Sequence, residues 1–449
     1  MARRWMTVAA LCLMAGAAAA AQTAGAATTP EDRVVVLTSY PEELTTRYQH
    51  AFEATHSGID VQIVWAHSAD ARKRLAQPGD GGVDVYWTPS PATFAALAMA
   101  GRFAPLPVDR RQLPGRIGSQ PISDTADRFQ AFEVAGYGLA VNDPALRRLG
   151  LPVPAQWSDL AAPAYAGLVL WPDPAHTGFA PALYDIVLQG QGWRAGWALL
   201  GEAVATGKLS AHGGDIVDQV VDGATPIGAS VDFMVRSAAA EGRPVRMVYP
   251  DRTAFLPANV ALLAHAPHPQ AARAFADYVL SAAGQALLFD PDIARYPVRP
   301  AAYAQAPAGT FDPFDRPDAA SFAYDPALAQ ARSGLEVALF ETAIADRIDT
   351  LAPLWKALHA AEARQRSHPD AAVAARLAKA RQLLGAVPVS GQQADDPGLQ
   401  SAFRRADDAH GPATGGADNA AILAQWRAAL DRNARQARAL LDGASASAS

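Results

Sequence analysis

Short apolar runs alternate with amphipathic segments over the first hundred residues, and this alternation predicts a parallel α/β sheet. The apolar run 34–37 is followed by a segment that places an apolar side chain at every fourth position up to Phe52. That spacing lines one face of a helix. Two further apolar runs, 59–65 and 83–87, are separated by another helical segment. Repeats of strand and helix of this kind build open parallel sheets.

Small polar residues stand where each of these three predicted strands ends. In open α/β sheets, ligands bind just beyond the carboxyl ends of the strands. We therefore hypothesise a binding cleft at this edge, although the same residue types also form ordinary turns. The residues selected on this ground are Ser39, Tyr40, Ser68, Thr88 and Ser90.

A second α/β pattern begins near residue 157 and contains a turn suited to an anion. The predicted strand 167–171 runs into PDPAHTGF, which opens a helix predicted over 180–189. The N–H groups and the positive dipole end of a helix start attract anions, and a protonated histidine would add a donor. A plain helix cap is the equally supported alternative. The candidate residues of this turn are Asp173, His176, Thr177 and Gly178.

Two long apolar segments, 129–142 and 253–264, predict strands that cross between two lobes. Gly136 and Gly138 flank Tyr137 inside the first segment. Because glycines inside a strand indicate a bend or a close backbone approach, we place the crossing there and count Tyr137 among the candidate ligand contacts.

Another strand is predicted over 226–234, with the candidates Ser230 and Asp232 near its end. These patterns predict a clamshell that closes on a ligand by hinge motion. The first lobe comprises 33–135 and is completed by 258–300, and the second lobe comprises 136–257.

From about residue 311 the apolar residues recur only at helical spacing, which predicts an all-α module over 311–442. Its helices are expected to include 369–384 and 419–441, with a polar linker over 390–416. We expect the clamshell to stay folded when the chain is cut after Pro300.

The N-terminus has the pattern of a cleaved signal peptide over 1–21. Two arginines precede an apolar run that ends in three alanines, and the run is too short for a good membrane span. We expect export to the periplasm. Cys12, the single cysteine, lies in this segment, so the mature chain is expected to have no disulfide and no thiolate nucleophile.

Composition narrows the possible functions. The 449 residues, 50% hydrophobic and 18% charged, suffice for two or three domains. The formal net charge is −6 and no long basic run occurs, which argues against a nucleic-acid partner. The chain contains no GxxxxGK[ST], GxSxG or HExxH motif, so an enzyme such as a phosphatase or glycosidase is the weaker alternative. We expect no cofactor, no metal site and no catalytic residue.

Four stretches, VVVLTSY, VDVYWTPS, WSDLAAPAYAGLVLW and PANVALLAHAPHPQAARAFADYVLSAAGQALL, resemble solute-binding proteins of ABC importers. The ferric-iron and organophosphate-binding branch is the nearest. The resemblance covers roughly 34–300 and implies a type II clamshell that binds a solute between its lobes. It also implies an inner-membrane ABC permease as partner, with membrane contact only through that partner.

A narrower resemblance extends into the tail. The order GWRAGWALL, RYPVRP, WKALHAAEAR, LLGAVPVS and WRAALDRNARQARALL is similar to the phosphoglycerate transport regulatory protein family. It implies, as the alternative role, a periplasmic component that modulates a membrane sensor kinase.

The resemblance also bears on the ligand. Iron-binding members carry adjacent tyrosines where this chain has Asp232-Phe233. Because ferric iron prefers phenolate and carboxylate oxygens, iron is the weaker alternative. A small phosphorylated or carboxylated organic anion is the leading ligand class.

Overall fold

The computed structural model describes residues 32–118, 120–315, 322–404 and 417–446, so the expected signal peptide lies outside the described residues. The strands are β1 (Arg33–Thr38), β2 (Asp60–Trp65), β3 (Val85–Thr88), β4 (Phe103–Ala104), β5 (Arg116–Ile117), β6 (Gln120–Pro121), β7 (Gln130–Val141), β8 (Val169–Pro172), β9 (Lys208–Ser210), β10 (Ile227–Val231), β11 (Arg246–Val248), β12 (Phe255–Leu263) and β13 (Tyr296–Pro297).

The helices follow the same order along the chain. They are α1 (Glu42–Thr55), α2 (Ser68–Leu75), α3 (Pro91–Met99), α4 (Asp143–Arg148), α5 (Ala180–Gln191), α6 (Trp193–Thr206), α7 (Asp215–Asp222), α8 (Asp232–Ala240), α9 (Pro269–Leu280), α10 (Ala282–Ala286), α11 (Pro326–Ala343), α12 (Ile348–Ser367), α13 (Ala371–Leu384), α14 (Gly391–Ala394), α15 (Pro397–Ala402) and α16 (Ala417–Ala446).

The main sheet has the strand order β2-β1-β3-β12-β7-β10-β8-β9. In the first lobe, β1 pairs in parallel with β2 and β3, and β12 returns antiparallel to β3. In the second lobe, β8 pairs in parallel with β9 and β10. Helices connect these strands, so the predicted α/β clamshell with a helical C-terminal extension is confirmed.

Strand β7 crosses from one lobe to the other near Gly136. Residues 130–136 pair with β12, whereas residues 137–141 pair with β10. A Cβ atom on Gly136 would lie 2.5 Å from a ring carbon of Phe255 and 2.6 Å from one of Tyr249. The crossing therefore has room for glycine alone, as its position inside a strand indicates.

Two predicted elements end elsewhere in the structure. The strand predicted over 226–234 stops at Val231, and α8 starts at Asp232, whose acidic side chain suits the positive end of a helix. The polar linker predicted over 390–416 contains α14 and α15, which were missed. Ser390 and Asp396 cap these two helices by accepting backbone hydrogen bonds, and such caps stabilise short helices.

The C-terminal helices share a hydrophobic core with the second lobe. The ring of Phe340 on α11 lies 4.6 Å from that of Tyr184 on α5. One continuous cluster joins side chains of both regions, including Trp171, Tyr184, Trp197, Leu335, Phe340, Val389, Trp426 and Leu430. Because the tail fills part of this core, the structure favours a tail that cannot be removed, in contrast to the expectation from the sequence.

Buried polar groups also connect the tail to the second lobe. Glu202 on α6 pairs with His359 and Arg381 of the tail. Glu336 on α11 is buried beside Asp185 on α5, and burial raises the pKa of both carboxyls. No described N–H or O–H group donates to either Glu336 oxygen. Burial and the mutual repulsion of the two carboxylates both raise the pKa of Glu336.

Removing the tail should therefore expose the core of the second lobe. A chain ending at Pro300 is expected to be insoluble, because the apolar partners of Tyr184 and its neighbours would be lost. In the full-length chain, Phe340→Ala is expected to lower the free energy of unfolding by about 3–5 kcal/mol. Urea titration of the full-length proteins measures the second effect. A soluble chain ending at Pro300 that unfolds cooperatively would contradict the shared core.

Candidate functional site

A cavity of about 320 Å³ opens between the two lobes. The first lobe contributes the start of α1 and the loop between α10 and β13. The second lobe contributes α7 and α8. The lining residues are Pro41, Leu44, Gly214, Val217, Asp218, Phe233, Met234, Ser237, Ala238, Glu241, Arg243, Asp292, Ile293 and Arg295. Because both lobes form its walls, the cavity changes shape whenever the lobes move.

The local sequence at the starts of α1 and α8 determines which of their side chains reach the cavity. Helix α1 begins one residue after Pro41, and its first turn carries Leu44 at the wall. Helix α8 follows β10 without a connecting loop, so Phe233 and Met234 lie in its first turn and at the cavity. The first N–H groups of a helix have no intrahelical partner, so the α8 start presents its positive dipole end near the cavity.

A buried ion pair stands at the first-lobe side. Arg295 lines the cavity although its side chain is only 9% exposed, and its Nη1 donates to Oε1 of Glu133 at 2.8 Å. The hydroxyl of Tyr40 donates to the same oxygen at 2.6 Å. Burial raises the pKa of Glu133, and the Arg295 charge opposes that rise. Burial and the nearby Glu133 also raise the pKa of Tyr40 well above its usual value.

Tyr40 is buried behind Arg295 and does not line the cavity, so its role as a ligand contact stays a prediction. Its ring lies in the core of the first lobe and beneath the Arg295 guanidinium, 5.1 Å away. The ring of Phe233 lies 4.1 Å from the same guanidinium. Sequence reasoning missed Glu133 and Arg295. The signal for Glu133 was a single charged residue within the mostly apolar strand β7.

Two predicted strand-end residues do meet. The hydroxyls of Ser39 and Thr88 are hydrogen-bonded at 2.5 Å. Asn259 on β12 lies opposite Thr88 in the sheet, and its buried amide has no hydrogen-bond partner among the described residues. This polar row lies outside the cavity wall. The sequence analysis did not select Asn259, although an amide side chain within an apolar strand could have indicated it.

The other two strand-end candidates have local roles or lie beyond description. The Ser90 hydroxyl donates to Thr93 at 2.8 Å within the start of α3. Ser68 is the first residue of α2, and its side chain lies outside what the structure describes. Ser90 does not appear in the cavity wall.

The predicted anion turn forms, but it stands behind the cavity wall. Asp173 accepts from the Ala175 N–H at 2.8 Å and pairs with Nδ1 of the half-exposed His176 at 3.1 Å. Thr177 is buried, and its hydroxyl has no hydrogen-bond partner among the described residues. Its methyl group packs against Gly213, next to the cavity residue Gly214. Ligand contact through Thr177 and the exposed Gly178 stays a prediction.

Tyr137 and Ser230 are buried and lie outside the cavity wall, so their role as ligand contacts stays a prediction. Tyr137 belongs to the apolar core of the second lobe, where burial raises its pKa. Ser230 is fully buried, and its hydroxyl approaches only the neighbouring Val231 carbonyl, at 3.5 Å. Both lie in strands with packing on each face, so polarity alone did not show which way they point.

Asp232 is a hinge residue in the structure. Its Oδ2 accepts from the Gly136 N–H at 2.5 Å and from the Tyr249 hydroxyl at 3.1 Å, and the residue does not line the cavity. Burial raises its pKa from 3.8 to about 7, although Arg236 and these two donors act against the rise. In this conformation Asp232 connects α8 to the crossing strand, and its role as a ligand contact stays a prediction.

Two structural patterns, a metal-ligand cluster and a membrane-spanning helix, are not matched by the described residues. No group of three or more His, Asp or Glu side chains there is arranged to hold a metal ion. None of the helices built from these residues has the length and hydropathy of a membrane-spanning segment.

The Asp232 carboxyl makes stability depend on pH. Its folded-state pKa of about 7 exceeds the usual 3.8, so its contribution to stability is complete below pH 3.8 and is lost as pH rises through 7. Asp232→Asn keeps the acceptor oxygen without the charge. Relative to wild type, the variant should gain on the order of 3 kcal/mol of stability between pH 5 and pH 9.

Urea unfolding at pH 5, 7 and 9 measures this gain. Asp251→Asn, which changes an exposed carboxylate, is the control and should show a constant difference from wild type. A constant difference for Asp232→Asn as well would mean that Asp232 titrates normally.

Comparison with known proteins identifies the family. A model described as "Bacterial extracellular solute-binding protein" matches residues 48–314. The phosphoglycerate transport regulatory protein PgtC of Salmonella typhimurium is 27% identical over 373 residues, which cover 81% of this chain and 87% of the relative.

Solved structures show the same fold. Iron-bound HitA from Pseudomonas aeruginosa superposes with a TM-score of 0.52 at 19% identity, covering 64% of this chain and 92% of HitA. AfuA from Actinobacillus pleuropneumoniae, with fructose-6-phosphate bound, gives 0.50 at 19% identity, covering 64% and 94%. The family match spans more than half of the chain. Together with the clamshell fold, it shows that this protein belongs to the bacterial extracellular solute-binding proteins.

Proposed function

We propose that this protein binds a small organic anion between its lobes in the periplasm, and that Arg295 holds the anionic group. The carrying observation is the position of Arg295, a nearly buried cation in the wall of the interlobe cavity. A planar guanidinium suits carboxylate and phosphate groups because it can donate two parallel hydrogen bonds.

The surroundings of Arg295 support this role. The one side-chain hydrogen bond of Arg295 to a described residue goes from Nη1 to Glu133, so the other guanidinium N–H groups are available to a ligand. The guanidinium also lies over the rings of Phe233 and Tyr40, at 4.1 and 5.1 Å from their centroids. The start of α8 adds the positive end of a helix dipole at the same cavity. A charge with fixed geometry loses little freedom on binding, which favours affinity.

Two roles for the bound state remain open to experiment. Export by the predicted signal peptide would place the protein beside an inner-membrane ABC permease that receives the solute. The similarity to PgtC, which extends over the tail, favours the alternative of a regulator that signals to a membrane sensor kinase. Crosslinking of the full-length protein in membranes to a permease or to a kinase separates these roles.

Substitution of Arg295 tests the anion site. Arg295→Lys keeps a charge but loses the planar fork, and it should weaken binding of a responsive anion about tenfold. The double variant Arg295→Met with Glu133→Gln removes both charges, which avoids an unpaired buried carboxylate. It should fold and weaken binding about 100-fold or more, because hydrogen bonds to charged groups contribute roughly 1.5–3 kcal/mol each.

Calorimetric titration with a panel of small carboxylates and phosphates, including 3-phosphoglycerate, gives the dissociation constants. Arg246→Gln is the matched control, since Arg246 is an exposed arginine of the second lobe paired with Asp143. Unchanged affinity in the double variant would overturn the role of Arg295.

Ferric iron should not form a coloured complex with this protein. The cavity presents Phe233 where iron-binding members have a tyrosine, and Phe233 has no oxygen to offer the metal. Titration with ferric nitrilotriacetate, followed by visible absorption, should therefore show no charge-transfer band. A coloured complex with one iron per chain would restore the iron-binding alternative.

A further inference from the structure

We infer from the cavity walls that the solute is an anion with an apolar body, such as an alkyl phosphate or an aliphatic carboxylate, and not a polyhydroxylated phosphate. The inference deepens the proposed function and rests on it, because it assumes that the anionic group lies at Arg295.

Apolar side chains from both lobes form most of the wall around that cation. Leu44 and Ile293 come from the first lobe, and Val217, Phe233 and Met234 come from the second. Phe233 contacts the Arg295 guanidinium directly, so an apolar surface begins where the anionic group would end. A ligand that extends from Arg295 into the cavity therefore meets carbon atoms on two sides.

Most charged groups of the wall have an ion-pair partner. Asp218 pairs with Arg243 inside the wall, whereas Asp292 and Arg295 pair with Arg47 and Glu133 outside it. Glu241 adds an exposed carboxylate to the wall. Ser237 is the single hydroxyl, and the wall contains no Asn, Gln, Thr, Tyr or His from the described residues. The hydroxyls that the sequence placed in the site, including those of Ser39 and Thr88, lie outside it.

The polar and apolar groups of the wall together determine which solutes the cavity prefers. Each ligand hydroxyl buried without a partner should cost about tenfold in affinity. Each additional buried methylene should gain about fourfold. The volume of about 320 Å³ admits a small solute, since ligand cavities usually begin near this size. Anions of equal charge should therefore be ranked by their apolar surface.

Matched ligands test the ranking with the full-length protein. Propyl phosphate and glycerol 3-phosphate differ by two hydroxyl groups, and hexanoate and gluconate differ by five. Calorimetry should show that propyl phosphate binds at least tenfold more tightly than glycerol 3-phosphate, and hexanoate more tightly than gluconate. Affinity should also rise from butanoate to hexanoate.

Substitutions that change the polarity of the wall at nearly constant side-chain volume test whether the wall causes this ligand preference. Val217→Thr and Met234→Gln add polar atoms to the cavity and should reduce the preference for propyl phosphate about threefold to tenfold each. Val221→Thr is the matched control on the same helix, because Val221 does not line the cavity. Melting temperatures check that each variant is folded.

The possible failures are distinct. Tighter binding of glycerol 3-phosphate or 3-phosphoglycerate than of propyl phosphate would overturn the apolar-body inference and leave the proposed anion site intact. An unchanged preference in Val217→Thr and Met234→Gln would also overturn it. If the Arg295 variants bind these anions as wild type does, or if no anion of the panel binds to wild type, the proposed function fails as well.

Discussion

Strand β7 belongs to both lobes, and the close packing at Gly136 allows it to cross from one lobe to the other. The backbone there lies against the rings of Phe255 and Tyr249, and its N–H group is held by Asp232. A side chain at Gly136 would push these groups apart and with them the two pairing partners of β7. The hinge thus combines a steric requirement with a buried carboxyl whose charge is costly.

The ion pair of Arg295 and Glu133 illustrates how a solute-binding site differs from a structural core. Two charges are placed where apolar side chains would pack at lower cost, since desolvation of a buried pair often offsets its attraction. Glu133 keeps one oxygen without a partner among the described residues, and Arg295 keeps donors for a ligand. The buried pair lowers stability locally, but it keeps the Arg295 cation in a fixed orientation for a ligand.

Patterns that depend on near neighbours were predictable from the sequence. The first three strands, the crossing glycines and the meeting of Ser39 with Thr88 all follow from periodicity and parallel pairing. The burial of residues such as Tyr137 and Ser230 was not predicted. A strand with both faces buried has no polar side, so its sequence does not show which way each side chain points. The ion pair joins residues 162 positions apart, so no local pattern indicates it.

The first tail helix stands where the two lobes come near each other. Helix α11 packs on α5 of the second lobe, and it also approaches α3 of the first lobe. At the other end of the tail, α16 has 30 residues and is therefore about 45 Å long. Because α11 contacts both lobes and α16 packs on α11, a change of the interlobe angle alters contacts of the tail as well as the walls of the cavity.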